Sequence, residues 1–487
     1  MSRIIIQNGN MCELDLPLKF AQKLYNEFAI RHPNAFYLRT RQRGMQNWDG
    51  KIHYITKTGQ FKIGLLPKVY DMCIEMGIKP KVVDMRQPLP KVSKVVTNIG
   101  KYKLRPEQEK AVKAVINNKI GNTPFHIGVL DYTVNAGKTL IMSSLYLSYK
   151  KQLKTLLITN DSDWLNQARE EFKQYLPGED ITFVQGKVLN WSNFTIGMVQ
   201  SISRNMRFYQ KELSQIDMVL IDEADQGGSK QYQNVITRLF NTRIRIGLSG
   251  TIYMSKLAKD RVKNMNLECF FGKVIAEFKL KDSIKKGYST KTVVKMVPGK
   301  PWYGNWESDC ISYKEIYDDS ITNCYTAWLM AYNRLLWNLN QGRYPALVVC
   351  KHIAHCENLY KFFKKKLGDA YNIAYVHVNT PSKLRQQIMK DFREGKIDIL
   401  VSTTIIARGK NFPKLRYLLN AASMLSNEKT IQFLGRLVRT DSSKKKAYVD
   451  DLMYPGNYLS RHARARKRYY QVEKLKVILV KRPKHKL

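Results

Sequence analysis

Short apolar runs alternate with segments of helical period over much of this 487-residue chain. The runs in its first half are rich in Val, Leu and Ile, and they lie at residues 155–158, 194–199, 218–221 and 244–248. An apolar run without alternation is typical of a strand that is buried on both faces of a parallel sheet. Because helical segments separate the runs, the pattern predicts βαβ units and a parallel sheet between residues 102 and 271.

The same alternation returns in the second half of the chain. A second parallel sheet is predicted from apolar runs at 346–350, 373–376 and 397–401. Between the last two runs, Thr380 and Pro381 predict the start of a helix and Gly395 predicts its end. Residues 291–340 are rich in Trp and Tyr, and we interpret them as an early strand followed by an insertion. The predicted fold is thus α/β, with two parallel-sheet lobes in tandem.

Charge and cysteine content narrow the classes of partner and compartment. The chain has 82 Lys and Arg against 40 Asp and Glu, a formal net charge of +42, which favours a polyanionic partner over an anionic membrane surface. No apolar run is long enough to span a bilayer, and the N-terminus turns polar too soon for a signal peptide. Seven cysteines without a CxxC pair indicate neither a disulfide framework nor a zinc site, so we expect a cytoplasmic protein.

An acidic pair, Asp222 and Glu223, follows directly on the apolar run at 218–221. The carboxyl ends of parallel strands are where open α/β sheets bind ligands. At such a position one carboxylate suits Mg²⁺ on a nucleotide, and a second one suits the orientation of the attacking water. We therefore predict that Asp222 is a metal ligand and that both acids are catalytic.

A phosphate loop is predicted upstream, where residues 135–139 read Asn-Ala-Gly-Lys-Thr between a strand and a helix. Backbone N–H groups of such a turn receive phosphate oxygens. In the predicted ATP site, Lys138 reaches the β- and γ-phosphates, and the Thr139 hydroxyl joins Asp222 on Mg²⁺. The first glycine of the usual pattern is absent, because Tyr132 occupies its position. The binding residues of the loop are predicted to be Asn135, Ala136, Gly137, Lys138 and Thr139.

Two further segments carry candidate ATP contacts. Gln108 can donate to and accept from an adenine edge, and Arg105 can stack on the ring. Arg436 and Arg439 lie three residues apart, predicted to share one helix face. Guanidinium groups aimed at a γ-phosphate stabilise the charge of the transition state, so we predict that both arginines are catalytic. A solvated helix start and a basic helix face are the plain alternatives for these two segments.

Taken in order, these segments resemble the motifs of the superfamily 2 helicases. The matching segments are Gln108, 135–139, 161–167, 199–201, 222–225, 249–251, 346–351, 403–411 and 432–439. The resemblance covers residues 100–455 and implies two RecA-like lobes that use ATP and Mg²⁺. It also implies an ATP contact at Gly409 and contacts to the nucleic-acid backbone at Gln200, Thr251 and Thr403.

The first unit resembles the N-terminal domain of UvsW-like phage recombination helicases, through residues 36–39 and the Asn-Trp-Asp-Gly turn at 47–50. Its basic and aromatic side chains suit phosphate contacts and base stacking. The predicted nucleic-acid contacts are Arg39, Arg41, Arg43, Trp48 and Lys51. A buried tryptophan with solvated arginines is the alternative interpretation of this segment.

The predicted domains follow from these assignments. They are a small α+β DNA-binding domain (1–97), an ATP-binding RecA-like lobe (98–275), a second RecA-like lobe (276–457) and a basic tail (458–487). A Pro-rich stretch at 87–90 predicts the first linker.

Three functions are compatible with this sequence. The first is an ATP-driven DNA helicase acting on branched DNA, or DNA with single-stranded segments, in phage recombination, repair and replication, with RNA met in hybrids and no membrane partner. The second is a DEAD-box RNA helicase, which the Asp-Glu-Ala-Asp tetrapeptide favours. That family carries Pro-Thr-Arg-Glu-Leu and His-Arg-x-Gly-Arg segments that are absent here, and Gln432 occupies the histidine position. The third is a nucleic-acid-binding or annealing protein with a weak ATPase. Protein partners cannot be read from the chain.

Overall fold

The structure is a computed structural model, and it describes residues 2–41, 45–149, 152–188, 191–252, 260–299, 312–407, 412–424 and 427–480. Arg43 and Gly409 lie outside the described residues, as does the side chain of Gln432. The chain divides into two compact units, Met1–Phe278 and Lys279–Leu487. Among the helices that the structure describes, none is long and apolar enough to cross a membrane.

The first unit begins with a small α+β region. Its strands are β1 (Arg3–Ile6), β2 (Met11–Asp15), β3 (Ala29–Arg31), β4 (Lys51–His53), β5 (Gln60–Lys62) and β6 (Lys81–Asp84). Its helices are α1 (Leu18–Glu27), α2 (Ala35–Arg41) and α3 (Leu66–Glu75). Four strands form a sheet in the order β5-β2-β1-β6, and β3 pairs separately with β4.

The rest of the first unit is built on a seven-stranded parallel sheet. The sheet consists of β11 (His126–Tyr132), β12 (Thr155–Thr159), β13 (Ile181–Val184), β14 (Phe194–Met198), β15 (Met218–Asp222), β16 (Ile244–Ser249) and β17 (Val274–Phe278). Before it, β7 (Asn98–Ile99) pairs with β8 (Tyr102–Lys103), and β9 (Lys119–Ile120) pairs with β10 (Thr123–Pro124). Its helices are α4 (Pro106–Ile116), α5 (Lys138–Ser148), α6 (Ser162–Tyr175), α7 (Val199–Arg204), α8 (Gln210–Ser214), α9 (Lys230–Ile236) and α10 (Arg261–Phe271). The sheet order is β13-β14-β12-β15-β16-β11-β17.

Burial explains why the central strands of this sheet are apolar throughout. Every residue of β11, β12 and β15 is buried, as expected for parallel strands with helices on both faces. Crossover helices return the chain to the same edge, so the carboxyl ends of β11, β12, β14, β15 and β16 lie at one edge of the sheet. That edge carries the predicted ATP site.

The α+β region packs directly on this sheet through a buried arginine. Arg245 on β16 is fully buried, and its guanidinium donates to the Gly9 and Phe270 carbonyls and to Asn10 Oδ1, at 2.6–3.2 Å. Burial of this cation lowers its pKa to about 9. Gly64 comes so close to α10 that a Cβ at this position would lie 2.0 Å from the Glu268 carbonyl oxygen.

The second unit contains another seven-stranded parallel sheet, in the order β20-β21-β19-β22-β23-β18-β24. Its strands are β18 (Lys291–Pro298), β19 (Ala346–Val349), β20 (Ile373–Val376), β21 (Ile399–Ser402), β22 (Tyr417–Asn420), β23 (Lys446–Met453) and β24 (Lys476–Leu479). Its helices are α11 (Leu280–Lys285), α12 (Tyr313–Tyr317), α13 (Tyr325–Leu339), α14 (Ile353–Leu367), α15 (Ser382–Glu394), α16 (Asn427–Leu437) and α17 (Asn457–Val472). The predicted fold class, two parallel-sheet lobes after a small α+β region, is confirmed.

Local details differ from the prediction in two places. Helix α15 begins at Ser382, with Pro381 as its N-cap, because the Thr380 hydroxyl accepts the His377 N–H and holds the chain in a turn. Its end at Gly395, whose φ is +86°, is as predicted. Those residues of the predicted basic tail that the structure describes, 458–480, form most of α17 and the edge strand β24.

A buried ion pair anchors α17 to the second sheet. Arg466 makes a bidentate contact with Asp451 of β23, at 2.7–3.1 Å, and both side chains are inaccessible to solvent. Tyr470 and Asn420 also donate to the Asp451 carboxylate. Buried charges are stable in a protein when they are paired and hydrogen-bonded, and this pair meets both conditions.

Candidate active site

The predicted phosphate loop connects β11 to the N-terminus of α5. Asn135 and Gly137 both have positive φ, +64° and +71°, which turns the backbone sharply before Lys138 begins the helix. Such a turn directs successive N–H groups towards one point, and an anion is favoured there by the helix dipole. Position 137 requires glycine, since a Cβ would lie 2.3 Å from Gln108 Nε2.

Gln108 fixes this loop from behind. Its Nε2 donates to the Ala136 carbonyl at 2.8 Å, and its Oε1 accepts the backbone N–H of Arg105 at 2.8 Å. The side chain is buried, and both ends of its amide are used by the backbone. Each end of this amide can make a second hydrogen bond, and the adenine contacts of Gln108 and Arg105 stay predictions.

Tyr132 shows how the loop accommodates the loss of its usual first glycine. It is the last residue of β11, and its hydroxyl donates to the Glu107 carbonyl of α4 at 2.8 Å. The ring is therefore directed into the protein, towards α4.

Lys138 and Asp222 come together at the carboxyl edge of the first sheet. Lys138 Nζ lies 3.7 Å from Asp222 Oδ1, and the Asp222 side chain is nearly buried, at 9% exposure. Among the described residues no donor forms a hydrogen bond to Asp222 Oδ1. A buried carboxylate oxygen without a donor fits Mg²⁺, which prefers oxygen ligands. Thr139, which follows Lys138 in the first turn of α5, is half-buried and offers a hydroxyl of the same kind.

Glu223 is held in an unusual conformation beside Asp222. Its φ of +52° lies in the left-handed region, which a residue other than glycine seldom adopts, and such strain is common at functional sites. Burial, followed by the nearby carboxylates of Asp222 and Asp225, raises the pKa of Glu223 to about 7, while Lys138 opposes the shift. A carboxyl group with this pKa can hold or release a proton near neutral pH.

The next acid, Asp225, links the end of β15 to the end of β16. It is buried, and it accepts a hydrogen bond from the Ser249 hydroxyl at 2.7 Å. Ser249 in turn contacts the Thr251 hydroxyl and the Thr251 N–H, both at 3.1 Å. The predicted nucleic-acid contact at Thr251 is therefore connected to the acidic run through two hydrogen bonds.

A second network, which the sequence did not reveal, joins Glu223 to the ends of β12 and β14. Gln226 donates to Glu223 Oε2 at 3.1 Å and accepts from the side-chain amide of Asn160. Gln200, a predicted nucleic-acid contact on α7, donates to the Asn160 carbonyl at 3.3 Å. A glutamine after an acidic run carries no sequence signal, so these contacts are visible only in the folded chain.

In the second unit, the arginine pair is arranged differently from the prediction. Arg436 lies in the last turn of α16, but Arg439 follows the helix, so the two do not share one helix face. The helix ends because Thr290 contacts the carbonyls of Val438 and Arg439, at 2.7 and 2.9 Å. Both arginine side chains are half-buried, and Thr403, at the end of β21, is buried.

Two of the predicted nucleic-acid contacts, Arg39 and Lys51, line a cavity of about 580 Å³ in the α+β region, and Arg41 and Trp48 do not. The residues around it include Arg31, Arg39 and Lys51, together with Phe36 and Gly50. Phe36 is 79% exposed, the largest value among the big apolar side chains that the structure describes.

The aromatic neighbours of this cavity differ in accessibility. Tyr37 is 55% exposed, and the Arg41 guanidinium lies over its ring at 4.9 Å. Trp48 is half-buried, and its indole N–H donates to the Lys51 carbonyl at 2.9 Å, so this ring closes the turn. Phe36 and Tyr37 are thus more accessible for stacking than Trp48.

Comparisons with known proteins agree with this arrangement. The family described as "Type III restriction enzyme, res subunit" matches residues 101–254, and "Helicase conserved C-terminal domain" matches residues 329–441. The chain is 22% identical, over 475 residues, to the ATP-dependent DNA helicase uvsW of Enterobacteria phage T4, covering 88% of this chain and 86% of that protein.

The chain is a superfamily 2 helicase. It is related to phage UvsW, as the sequence resemblance indicated. Family membership makes it an ATP-dependent enzyme that acts on nucleic acid.

Solved structures of other enzymes share the fold of this helicase. The type ISP restriction-modification enzyme LlaBIII, bound to DNA, has a TM-score of 0.57 and 14% identity, over 86% of this chain and 34% of that one. Dbp5 of S. cerevisiae, bound to RNA and ADP BeF3, has a TM-score of 0.51 and 14% identity, over 78% and 90% of the two chains. Because these two enzymes are bound to different nucleic acids, the shared fold does not choose the substrate of this helicase.

Proposed function

We propose that this helicase is an ATP-driven DNA translocase that remodels branched DNA, namely forks, Holliday junctions, displacement loops and R-loops. The observation that carries the proposal is the basic and aromatic cavity of the α+β region, on the same compact unit as the ATP site. The similarity to a protein named as an ATP-dependent DNA helicase extends over 475 residues, beyond the two matched domains, and supports the same substrate.

The cavity suits a DNA strand for two reasons. Arg31, Arg39 and Lys51 place positive charge around it, which attracts the phosphate backbone without regard to sequence. Phe36 offers an exposed ring on which an unpaired base can stack. Branched DNA presents phosphates and unpaired bases close together, so it satisfies both features at once.

In the proposed ATP site, each residue of the first unit has a separate role. Lys138 and the N–H groups of the phosphate loop hold the phosphate charge, and Glu223 orients the attacking water and takes its proton. Asp222 and Thr139 would hold Mg²⁺, which supplies positive charge against the phosphate oxygens when it is bound. The bond between Asp225 and Ser249 keeps the acidic run in register with the segment that carries Thr251.

The remaining site residues have roles that follow from the helicase family. We propose that Arg436 and Arg439 supply positive charge to the transition state, and that Gly409 contacts ATP. Contacts to the nucleic-acid backbone are assigned to Gln200, Thr251 and Thr403. Arg41 and Arg43 are assigned to the DNA surface of the α+β region.

Two alternatives remain as outcomes of the test. A DEAD-box RNA helicase is disfavoured because Thr159-Asn160 replaces the usual Pro-Thr segment and Gln432 replaces the usual histidine. An annealing protein with a weak ATPase is disfavoured because Lys138, Thr139, Asp222 and Glu223 are all retained, and Lys138 lies 3.7 Å from Asp222.

The test compares ATP hydrolysis by the full chain with single-stranded DNA, duplex DNA, a forked DNA and RNA. We expect the forked DNA to raise the rate most. Stimulation by RNA alone would overturn the proposal in favour of an RNA helicase. A rate that no nucleic acid changes would favour the annealing protein.

A further inference from the structure

Gln226 occupies a bridging position between the Glu223 carboxylate and the neighbouring strand ends. Its Nε2 donates to Glu223 Oε2 at 3.1 Å, and its Oε1 accepts from the Asn160 side-chain amide. Its own backbone is fixed, because the Gln226 N–H donates to the Glu223 carbonyl at 3.0 Å in a short 3-10 turn, Ala224–Gln226. The side chain of Gln226, rather than its backbone, is therefore the part of this segment that can move when Asn160 moves.

The other end of the bridge leads to a predicted nucleic-acid contact. Asn160 follows β12, and its carbonyl accepts from Gln200 Nε2 at 3.3 Å. Gln200 lies on α7, directly after β14. Strands β14, β12 and β15 are neighbours in the sheet, so the three side chains run along its carboxyl edge from Gln200 to Glu223.

We infer that Gln226 is a positioning residue, which couples nucleic-acid contact at Gln200, through Asn160, to the orientation of the Glu223 carboxylate. The inference rests on the proposed roles of Gln200 and Glu223. When Asn160 moves relative to Glu223, the Gln226 amide cannot keep its hydrogen bonds to both residues, because hydrogen bonds weaken steeply with distance and angle. A shift at Asn160 therefore either carries the Glu223 carboxylate along or releases it.

The charges around Glu223 explain why a neutral amide suits this position. The carboxylates of Asp222, Asp225 and Asp161 act on Glu223 with one sign, and Lys138 acts with the other. The hydrogen bond from Gln226 orients the Glu223 carboxylate without adding a charge. A lysine or arginine in its place would pair with Glu223 and fix it in one orientation.

The first test measures the ratio of kcat for ATP hydrolysis with and without a forked DNA that has single-stranded arms. Gln226→Leu keeps the size of the side chain and removes both hydrogen bonds. We expect the stimulation ratio to fall by about fivefold or more, the lower end of typical allosteric coupling. The KM for ATP and the Kd for the forked DNA should stay close to the wild-type values, which a general loss of structure would not allow.

Gln233→Leu is the matched control. Gln233 lies on α9 close to Gln226 in sequence, and its amide donates to the Gly228 carbonyl at 2.9 Å. The control should keep the wild-type ratio. A Gln226→Leu enzyme whose ratio equals that of the control would overturn the inference, and the proposed function would stand as long as the wild type responds to DNA.

Asn160→Ala gives an independent test, because it cuts the same bridge at its other side-chain bond. We expect it to lower the ratio as Gln226→Leu does, and we expect the double variant to be no worse than either single variant, since the two residues act through one connection. Additive losses would contradict the inference. If only RNA stimulates the wild type, the branched-DNA proposal fails, and the same ratios measured with RNA still decide the role of Gln226.

Discussion

Lys138 Nζ lies 3.7 Å from Asp222 Oδ1, which joins the first residue of α5 to the last residue of β15. Both residues end up at the carboxyl edge of one parallel sheet, although they are far apart in the sequence. This relationship makes the phosphate loop and the acidic run a single site.

Lys138→Ala is expected to abolish ATP turnover. The substitution removes the cation that faces Asp222 and the phosphates, and loss of one such contact typically costs at least about 100-fold in kcat. Binding of forked DNA, measured by fluorescence anisotropy, should remain. The control is Lys113→Ala, an exposed lysine on α4 that pairs with Glu109. Turnover retained by Lys138→Ala would refute the assignment of the phosphate loop.

Arg39→Ala and Lys51→Ala are expected to weaken DNA binding and to reduce its dependence on salt. Each side chain that neutralises one phosphate contributes about one unit to the slope of log K against log salt concentration, so each variant should lose about that much. Lys57→Ala serves as the control, because Lys57 is exposed but does not line the cavity. Equal slopes for all three variants would place the DNA elsewhere on the surface.

Arg466→Met is expected to destabilise the second unit. It leaves the Asp451 carboxylate buried without its cation, and removal of one partner from a buried pair usually costs about 3–5 kcal/mol. Arg464→Ala, an exposed position on the same helix, should change the free energy of unfolding by less than about 0.5 kcal/mol. Urea denaturation followed by circular dichroism measures both. Indistinguishable midpoints would show that α17 is not anchored by this pair.

The second unit is expected to lose stability in mild acid through His355. This histidine is buried, its Nδ1 lies 3.0 Å from the Tyr317 hydroxyl, and burial lowers its pKa to about 3. The unfolded chain takes up a proton below pH 6.5 and the folded chain does not, so stability falls as the pH falls from 6.5 towards 3. At pH 5 the loss from this group is about 2 kcal/mol.

His355→Gln should remove that part of the acid sensitivity, as judged by urea midpoints at pH 7 and pH 5. A residual sensitivity of the second unit is expected from His352 and His462, whose pKa values are also lowered by burial. An unchanged difference between the two midpoints would show that His355 is protonated in the folded protein.

The two sheets could be predicted from the sequence because buried parallel strands are apolar runs without alternation. The proximity of Lys138 and Asp222 could be predicted as well, since the carboxyl ends of parallel strands meet at one edge of the sheet. The sequence did not predict the contacts of Gln108 and Gln226, whose amides are placed by rotamers and neighbours that only the folded chain defines. The buried pair of Arg466 and Asp451 could not be predicted for a related reason, because nothing in a basic stretch of sequence distinguishes a buried arginine from a solvated one.

Branched-DNA remodelling is tested most directly by the rate of ATP hydrolysis by the full chain with forked DNA, set against single-stranded DNA, duplex DNA and RNA of matched length. We expect the highest rate with the forked DNA, and we expect Lys138→Ala to remove that rate while leaving the DNA bound. A rate that rises with RNA alone, or that is the same with and without the fork, would contradict branched-DNA remodelling.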